Sequence, residues 1–387
     1  MNLDEICQKN NRLRDHMLSL ANGLKWRESI KLSQESLNHI KNELWISNVE
    51  KIVIFGHGTS LAASMISASW FSHISRINSQ ALPAYQFKNY MNDYLIDPSK
   101  TLVIAISCSG KTPNVIEGLE KANQLGAVTM CISGSGDVEC AKVAKYLITT
   151  KAHEDIEAGI PVYTNSYIYL LLGVYHLAIM LGEKRKQLDS ANIDYWQQGL
   201  EEVIENSAHI VSIFNQMQSI VTSIRNQCGR NFVVLGTGPN YGTMIEGALK
   251  ISEFSWMFGA GEELEDFAHG RFREVDSSIP LLIISPGETT HEKTLDILVG
   301  CNISKTPTVV FTQNRTSVLD ELSTHVLDMP RLIDEYVTPF MYVFPLWFFG
   351  FHMRQLDGKL VGEIRHGLLA TDISYRTNYR KLKHLSP

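Results

Sequence analysis

Two stretches 180 residues apart share one pattern. Residues 51–58 read KIVIFGHG and residues 231–238 read NFVVLGTG: a polar start, an apolar run, then Gly-x-Gly. The likeness continues in order. TLVIAIS (101–107) is matched by LLIIS (281–285), and AVTMCIS (127–133) by TPTVVFT (306–312), at nearly the same separation. Self-similarity on this scale points to two copies of one architecture. Each run is short, continuously apolar and without alternation, as in strands covered on both faces. The gaps between runs hold a helix each, and strands alternating with helices imply a parallel sheet. The expected fold is therefore α/β: two tandem doubly wound parallel-sheet domains over 25–190 and 200–345, joined by helices, with a C-terminal tail over 346–387. Residues 189–227 read as one long amphipathic connecting helix that begins with capping residues.

The charge balance narrows the class of partner. Formal net charge is −6, and phosphate-backbone binding requires clustered Lys and Arg, so no nucleic-acid partner is expected. The cysteines at 7, 108, 131, 140, 228 and 301 are scattered without a Cys-x-x-Cys pair. Neither a metal site nor a disulfide framework is expected, and reduced thiols fit a cytoplasmic protein. The N-terminus is polar and mixed in charge, unlike a signal peptide. Two apolar stretches, 167–182 and 337–351, fall short of the ~20 residues of a spanning helix. The first carries His176 and the second is interrupted by prolines. Both read as buried core helices, and no membrane partner is expected.

Ligands of an open parallel sheet sit beyond the carboxyl ends of its strands. Two such ends in the first repeat are rich in hydroxyls: GHGTS (56–60) and SCSGKT (107–112). Pro113 follows the second, at a helix start where its missing N–H does no harm. Backbone N–H groups there, with the hydroxyls of Ser107, Ser109 and Thr112, form a compact anion cradle that Ser60 can close from the neighbouring strand end. Convergent donors suit a phosphate better than a carboxylate. Ser60 and Thr112 taken singly also fit helix caps. A dinucleotide is disfavoured, because both Gly-x-Gly turns lack the third glycine, with Leu61 and Tyr241 in its place. A P-loop is absent, since Ala105 stands where its first glycine belongs. No cofactor is expected.

These residues resemble the sugar isomerase (SIS) family in its double-domain form, which includes the isomerase half of glucosamine-6-phosphate synthase and the fructosamine-6-phosphate deglycases. The resemblance spans about residues 50–350. It implies that Ser107-Cys108-Ser109-Gly110-Lys111-Thr112 and Gly58-Thr59-Ser60 hold a sugar phosphate, with Thr59 among the contacts. It implies that Glu253, in EGALKISEFSW (246–256), is the catalytic base. His269, in EDFAHG (265–270), would open the sugar ring, reaching the site from the other subunit of a homodimer. Val162 and Thr164 of GIPVYTNSY (159–167) match a substrate-contacting segment. Cys108, between the two serines and with no histidine base in the motif, is expected to be a small filler or a neighbour of the sugar and not a nucleophile. The basic tail offers Lys381 or Lys383 in place of the family's terminal lysine. The chain departs from the family at Arg271, where relatives commonly have proline, and at Glu265, where they often have glycine. Residue 2 is asparagine, and no glutaminase half is expected.

Aldose–ketose interconversion needs one base between C1 and C2, passing a proton through an enediol or enaminol. A carboxylate with its pKa raised by partial burial suits that task. Glu253, Lys250 and Glu246 share one helical face. Lys250 can hold Glu253 or polarise a sugar oxygen, although the pair also fits an ordinary surface ion pair. His269 can move protons near neutrality or be a plain loop histidine. Trp256 resembles the deglycases and Lys250 the aminosugar isomerases. The expected activity is deglycation of a fructosamine 6-phosphate. Aminosugar-6-phosphate isomerase or deaminase, and a non-catalytic sugar-phosphate-binding regulator, are the alternatives.

Overall fold

The six apolar runs are the inner strands of two five-stranded sheets. The computed structural model describes residues 2–160 and 162–364. The first sheet contains β1 (Lys51–Gly56), β2 (Asn78–Pro83), β3 (Thr101–Ile106), β4 (Val128–Ser133) and β5 (Tyr146–Thr149), in the order β2-β1-β3-β4-β5. The second contains β6 (Asn231–Gly236), β7 (Phe258–Glu263), β8 (Leu281–Ile284), β9 (Thr308–Thr312) and β10 (His325–Asp328), in the equivalent order β7-β6-β8-β9-β10. All pairings are parallel; Ile54, for instance, lies between Ala81 and Ile104. This is the doubly wound, flavodoxin-like order, and the strand order reverses between β1 and β3 in one sheet and between β6 and β8 in the other.

Helices cover both sheet faces, so β3, β4, β8 and β9 are buried or nearly so along their length. Each buried Val, Ile or Leu there contributes about 1.5–3 kcal/mol of transfer free energy. The other four strands, β2, β5, β7 and β10, are all edge strands. β2 (NSQALP) and β7 (FGAGEE) are mostly half-buried. An edge strand packs less completely and carries polar residues that discourage further pairing, which removes the signal by which inner strands are read.

Both apolar stretches that invited a membrane reading are core helices. Asn165–Lys184 is the one described helix long and apolar enough to cross a bilayer, and 94% of its apolar window is buried inside the protein. Pro339–Leu356 is buried from Pro339 to Arg354, with Pro339 in its first turn and Pro345 inside it. This helix runs through residue 346, so the expected boundary between the second domain and a tail falls inside a continuous element.

The connecting region also differs from expectation. It forms two helices, Ser190–Glu205 and His209–Ile224, separated by the tight turn Asn206–Ala208. The Asn206 side chain donates to the Glu202 carbonyl (2.8 Å) and the Ser207 hydroxyl donates to Ala21 (3.1 Å). Side chains competing for backbone groups break the helix there.

The Tyr241–Ser255 helix joins the two halves. It packs on Pro339–Leu356 and on the first-domain helix Thr59–His73. Gly247 permits the closest approach: a Cβ at that position would lie 2.2 Å from Leu346 Cδ1. Gly247→Ala should therefore cost about 1–3 kcal/mol by overpacking. Urea denaturation checks this, and an unchanged midpoint would refute the packing argument.

Candidate active site

The first-sheet reversal between β1 and β3 places the GHGTS and SCSGKT turns side by side. Gly110 makes the second turn possible. Its φ is +62° and a Cβ would lie 2.4 Å from Val138 Cγ2, so a side chain fits neither the conformation nor the space. The Gly110 N–H donates to Ser107 Oγ (3.0 Å) and the Lys111 N–H to Ser109 Oγ (3.4 Å). The first of these bonds uses the Ser107 oxygen as acceptor, so the hydroxyl can still donate its proton. Thr112 precedes the helix Pro113–Gln124 and its carbonyl accepts from Val115 and Ile116. The Ser60 hydroxyl makes no hydrogen bond to the described residues. Ser60 and Ser107 are buried, and Ser109 and Thr112 are half-buried.

A second cluster spans the two domains. The Lys250 ammonium donates to Glu253 Oε2 (2.8 Å) and Thr59 Oγ1 (2.7 Å), and its Nζ lies 3.4 Å from Glu246 Oε1. Three N–H donors thus face three acceptors. Lys250 and Glu246 are almost fully buried, whereas the Glu253 side chain keeps 38% of its surface exposed. Thr59 donates onward to Glu246 Oε1 (3.4 Å). Its hydroxyl therefore belongs to this cluster as well as to the GHGTS turn.

Burial pushes the Glu246 carboxyl up, the Lys250 charge pulls it down, Glu253 pushes it up again, and the pKa settles at about 7. Burial works to lower the Lys250 pKa, but the two carboxylates outweigh it and hold the ammonium above its ordinary value. One cation facing two carboxylates neutralises only one of them, so the buried Glu246 is the member that takes up a proton near neutrality. Its Oε2 has no partner among the described residues.

The remaining expected residues fall in different places. Cys108 is buried beneath the cradle, where burial pushes its thiol well up and keeps it neutral. The Val162 side chain lies in the main apolar core, which leaves its backbone as the part able to meet a ligand. Thr164 is buried and precedes the Asn165–Lys184 helix. His269 ends the short helix Leu264–His269, three-quarters exposed, with its ring 3.1 Å from Glu265 Oε1. Among the described residues no hydrogen bond joins it to the Lys250 cluster. Lys381 and Lys383 lie outside the described residues. Sequence reasoning placed Glu246 on the right helical face but gave it no role; its burial is a tertiary fact. Asp155, buried beside the cradle, carried no sequence signal at all.

Comparison with known proteins fits this geometry. A SIS domain model matches residues 45–180 and again 227–353. The chain belongs to the SIS-domain family. Among curated relatives, the glutamine–fructose-6-phosphate aminotransferase (isomerizing) of Thermococcus kodakarensis is 25% identical over 337 residues, covering 86% of this chain and 53% of that protein. The Escherichia coli K12 protein of the same name is 24% identical over 325 residues, covering 83% and 51%. The chain thus spans about half the length of the curated relatives it matches. Among solved structures, the C-terminal domain of glucosamine-fructose-6-phosphate aminotransferase from Francisella tularensis superposes with a TM-score of 0.77 at 20% identity, covering 89% of this chain and 97% of that one. Tagatose-6-phosphate ketose/aldose isomerase from Escherichia coli gives 0.71 at 18% identity, covering 89% and 95%. Glucosamine-6-phosphate deaminase from Thermotoga maritima gives 0.62 at 15% identity, covering 88% and 97%. These similarities establish the SIS fold.

The Glu246 pKa has a consequence for stability. Its folded value of about 7 exceeds the ordinary 4.5, so the folded state binds the proton more tightly. The stabilisation is complete below pH 4.5 and is lost as pH rises through 7, by roughly 3 kcal/mol in total. Glu246→Gln should flatten this part of the stability–pH curve in urea titrations between pH 4.5 and 8. A variant curve parallel to that of the wild type would refute the assignment.

Proposed function

We propose that this protein is an enzyme of phosphorylated sugars, and that it cleaves a fructosamine 6-phosphate into an amine and an aldose 6-phosphate. The observation that carries the reading is the Glu253–Lys250–Thr59 arrangement. It sets a partly exposed carboxylate, held by a buried ammonium, against the first turn of the helix that follows the GHGTS loop. That loop borders the hydroxyl-lined turn at residues 107–112.

In this reading Ser60, Ser107, Ser109 and Thr112 grip the phosphate, so that binding energy at one end of the sugar orients the other. Glu253 removes the C1 proton of the 1-amino-ketose and gives an enaminol. Lys250 fixes the carboxylate and stabilises charge that develops on the neighbouring oxygen. Proton return at C2 gives an imine, and water releases the amine and the aldose 6-phosphate. His269 would serve ring opening in a neighbouring subunit, which makes a homodimer part of the reading, as is a cytoplasmic setting.

A second reading keeps the same residues and changes the substrate. Lys250 and the structural neighbours that are named as a ketose/aldose isomerase and a deaminase favour isomerisation or deamination of an aminosugar 6-phosphate. A regulator that binds the sugar phosphate without turnover is a third possibility. It is disfavoured by a base held on a buried cation, which binding alone does not need.

Incubation with fructose 6-phosphate, glucosamine 6-phosphate and fructoselysine 6-phosphate, followed by assay of aldose and amine, separates these readings. Amine release from the fructosamine is expected. Tight binding of a sugar phosphate without any conversion would favour the regulator. Glu253→Gln should lower kcat by at least about 100-fold, in line with the loss of a general base, while a sugar phosphate still binds. Full turnover in that variant would eliminate Glu253 as the base.

A further inference from the structure

The N-terminal helix Leu3–Leu18 lies outside both matched SIS segments, yet its buried side touches structures that serve both halves of the site. Its buried residues are Asn10, Leu13, His16 and Met17. The His16 ring meets the Asp155 carboxylate, and both side chains are buried, at 7% and 0% exposure. Asp155 in turn accepts from the backbone N–H of Thr164 (2.8 Å) and of Ser166 (2.9 Å). One carboxylate therefore caps the Asn165–Lys184 helix and folds the preceding loop back on itself. The Asn165 side chain donates to the His16 carbonyl (2.9 Å), which ties the helix start to the same turn of the N-terminal helix. Arg12 holds the Ala158 carbonyl further along the loop. Ser166 donates to the Ala152 carbonyl (2.6 Å) and interacts with the Cys108 thiol at the centre of the 107–112 turn. Burial alone would raise the Asp155 pKa, but the bonds from His16 and Ser166 outweigh it and keep the carboxyl below its ordinary range.

A second path leaves the same helix from Asn10. Its side-chain amide donates to the Lys359 carbonyl (3.0 Å), and its oxygen accepts from the Val361 N–H (2.9 Å). This is a two-point clamp on a backbone segment. Two residues further on, the Glu363 carbonyl accepts from the Trp256 indole (2.6 Å) and the Glu363 carboxylate pairs with Arg354 (2.9 Å). Arg354 stacks 3.7 Å above the Trp256 ring. Trp256 terminates the helix that carries Lys250 and Glu253. One path thus ends at the turn with the phosphate-binding hydroxyls and the other at the helix with the carboxylate base.

We propose that the N-terminal helix is a positioning element for this site. His16, through Asp155, sets the 155–166 loop against the phosphate-binding turn, and Asn10, through residues 359–363, steadies the end of the catalytic helix. This role rests on the functional reading above. Neither residue touches the substrate; both act through groups that do. A helix outside the family segments thereby registers the two domains' contributions to one another.

The test uses the full chain and the substrate that the sugar-phosphate panel identifies. His16→Ala should raise KM about tenfold while kcat changes less than about threefold, because loosening the loop weakens ground-state and transition-state binding alike. Amide hydrogen exchange across 162–166, measured without substrate, should speed up. His16→Gln, whose amide reaches the position of the ring Nε2 and restores the bond to Asp155, should return both KM and exchange close to wild type. Asn10→Ala should speed exchange at 359–363. If His16→Ala does not fold, Asp155→Asn takes its place in the comparison, with the same KM rise and faster exchange expected. Wild-type KM and wild-type exchange in the folded variant, with the wild-type enzyme active, would overturn the positioning role alone. A wild-type protein that converts none of the sugars would overturn the functional reading, and this role with it.

Discussion

A single buried ammonium organises the interface between the two halves of this protein. Lys250 has three donors, and it uses them on Thr59 from the first domain and on Glu246 and Glu253 from its own helix. An unpaired charge at 1% exposure would cost several kcal/mol, so the domains must close with the three acceptors in place. The relative placement of the 107–112 turn and Glu253 follows from that requirement. The surrounding helices are apolar on all sides because they have no face left for water, as the nearly complete burial of Asn165–Lys184 and Pro339–Leu356 shows.

The cluster also divides labour between two glutamates on one helical face. Glu246 is sealed in and its carboxyl titrates near neutrality, because one ammonium cannot neutralise two carboxylates in a site that excludes water. Glu253 reaches the surface, with 38% of its side chain exposed. Their separation of seven residues, two helical turns with Lys250 between them, puts both within reach of the same cation. The difference in burial, and not in residue type, gives them different chemistry.

Much of this was legible in the sequence where signals are local. Runs such as TLVIAIS and TPTVVFT identify inner strands because burial on both faces demands unbroken apolar character. β2 and β7 give no such signal because edge strands tolerate Ser, Gln, Gly and Glu, and β5 and β10 are only four residues long. The connector appeared as one helix because the turn at Asn206–Ala208 interrupts the ladder without disturbing the apolar spacing on either side. The GHGTS motif gives no sign that Thr59 meets Lys250, because that contact is made across the packed domains. His16 and Asp155 lie 139 residues apart with no motif around either, so no reading of one segment could have paired them.

The sequence by itself determined the repeated α/β architecture, the hydroxyl-rich turn after β3 and the shared helical face of Glu246, Lys250 and Glu253. Each of these depends on residues within a turn or two of one another, where chain geometry leaves few alternatives. Only the tertiary structure decided that Lys250 meets Thr59 across 191 positions, that Glu246 is sealed from water while Glu253 is not, and that the N-terminal helix meets both Asp155 and the backbone at Lys359 and Val361. Those outcomes depend on which surfaces exclude water when the two sheets and their helices pack, and that is a property of the assembled chain.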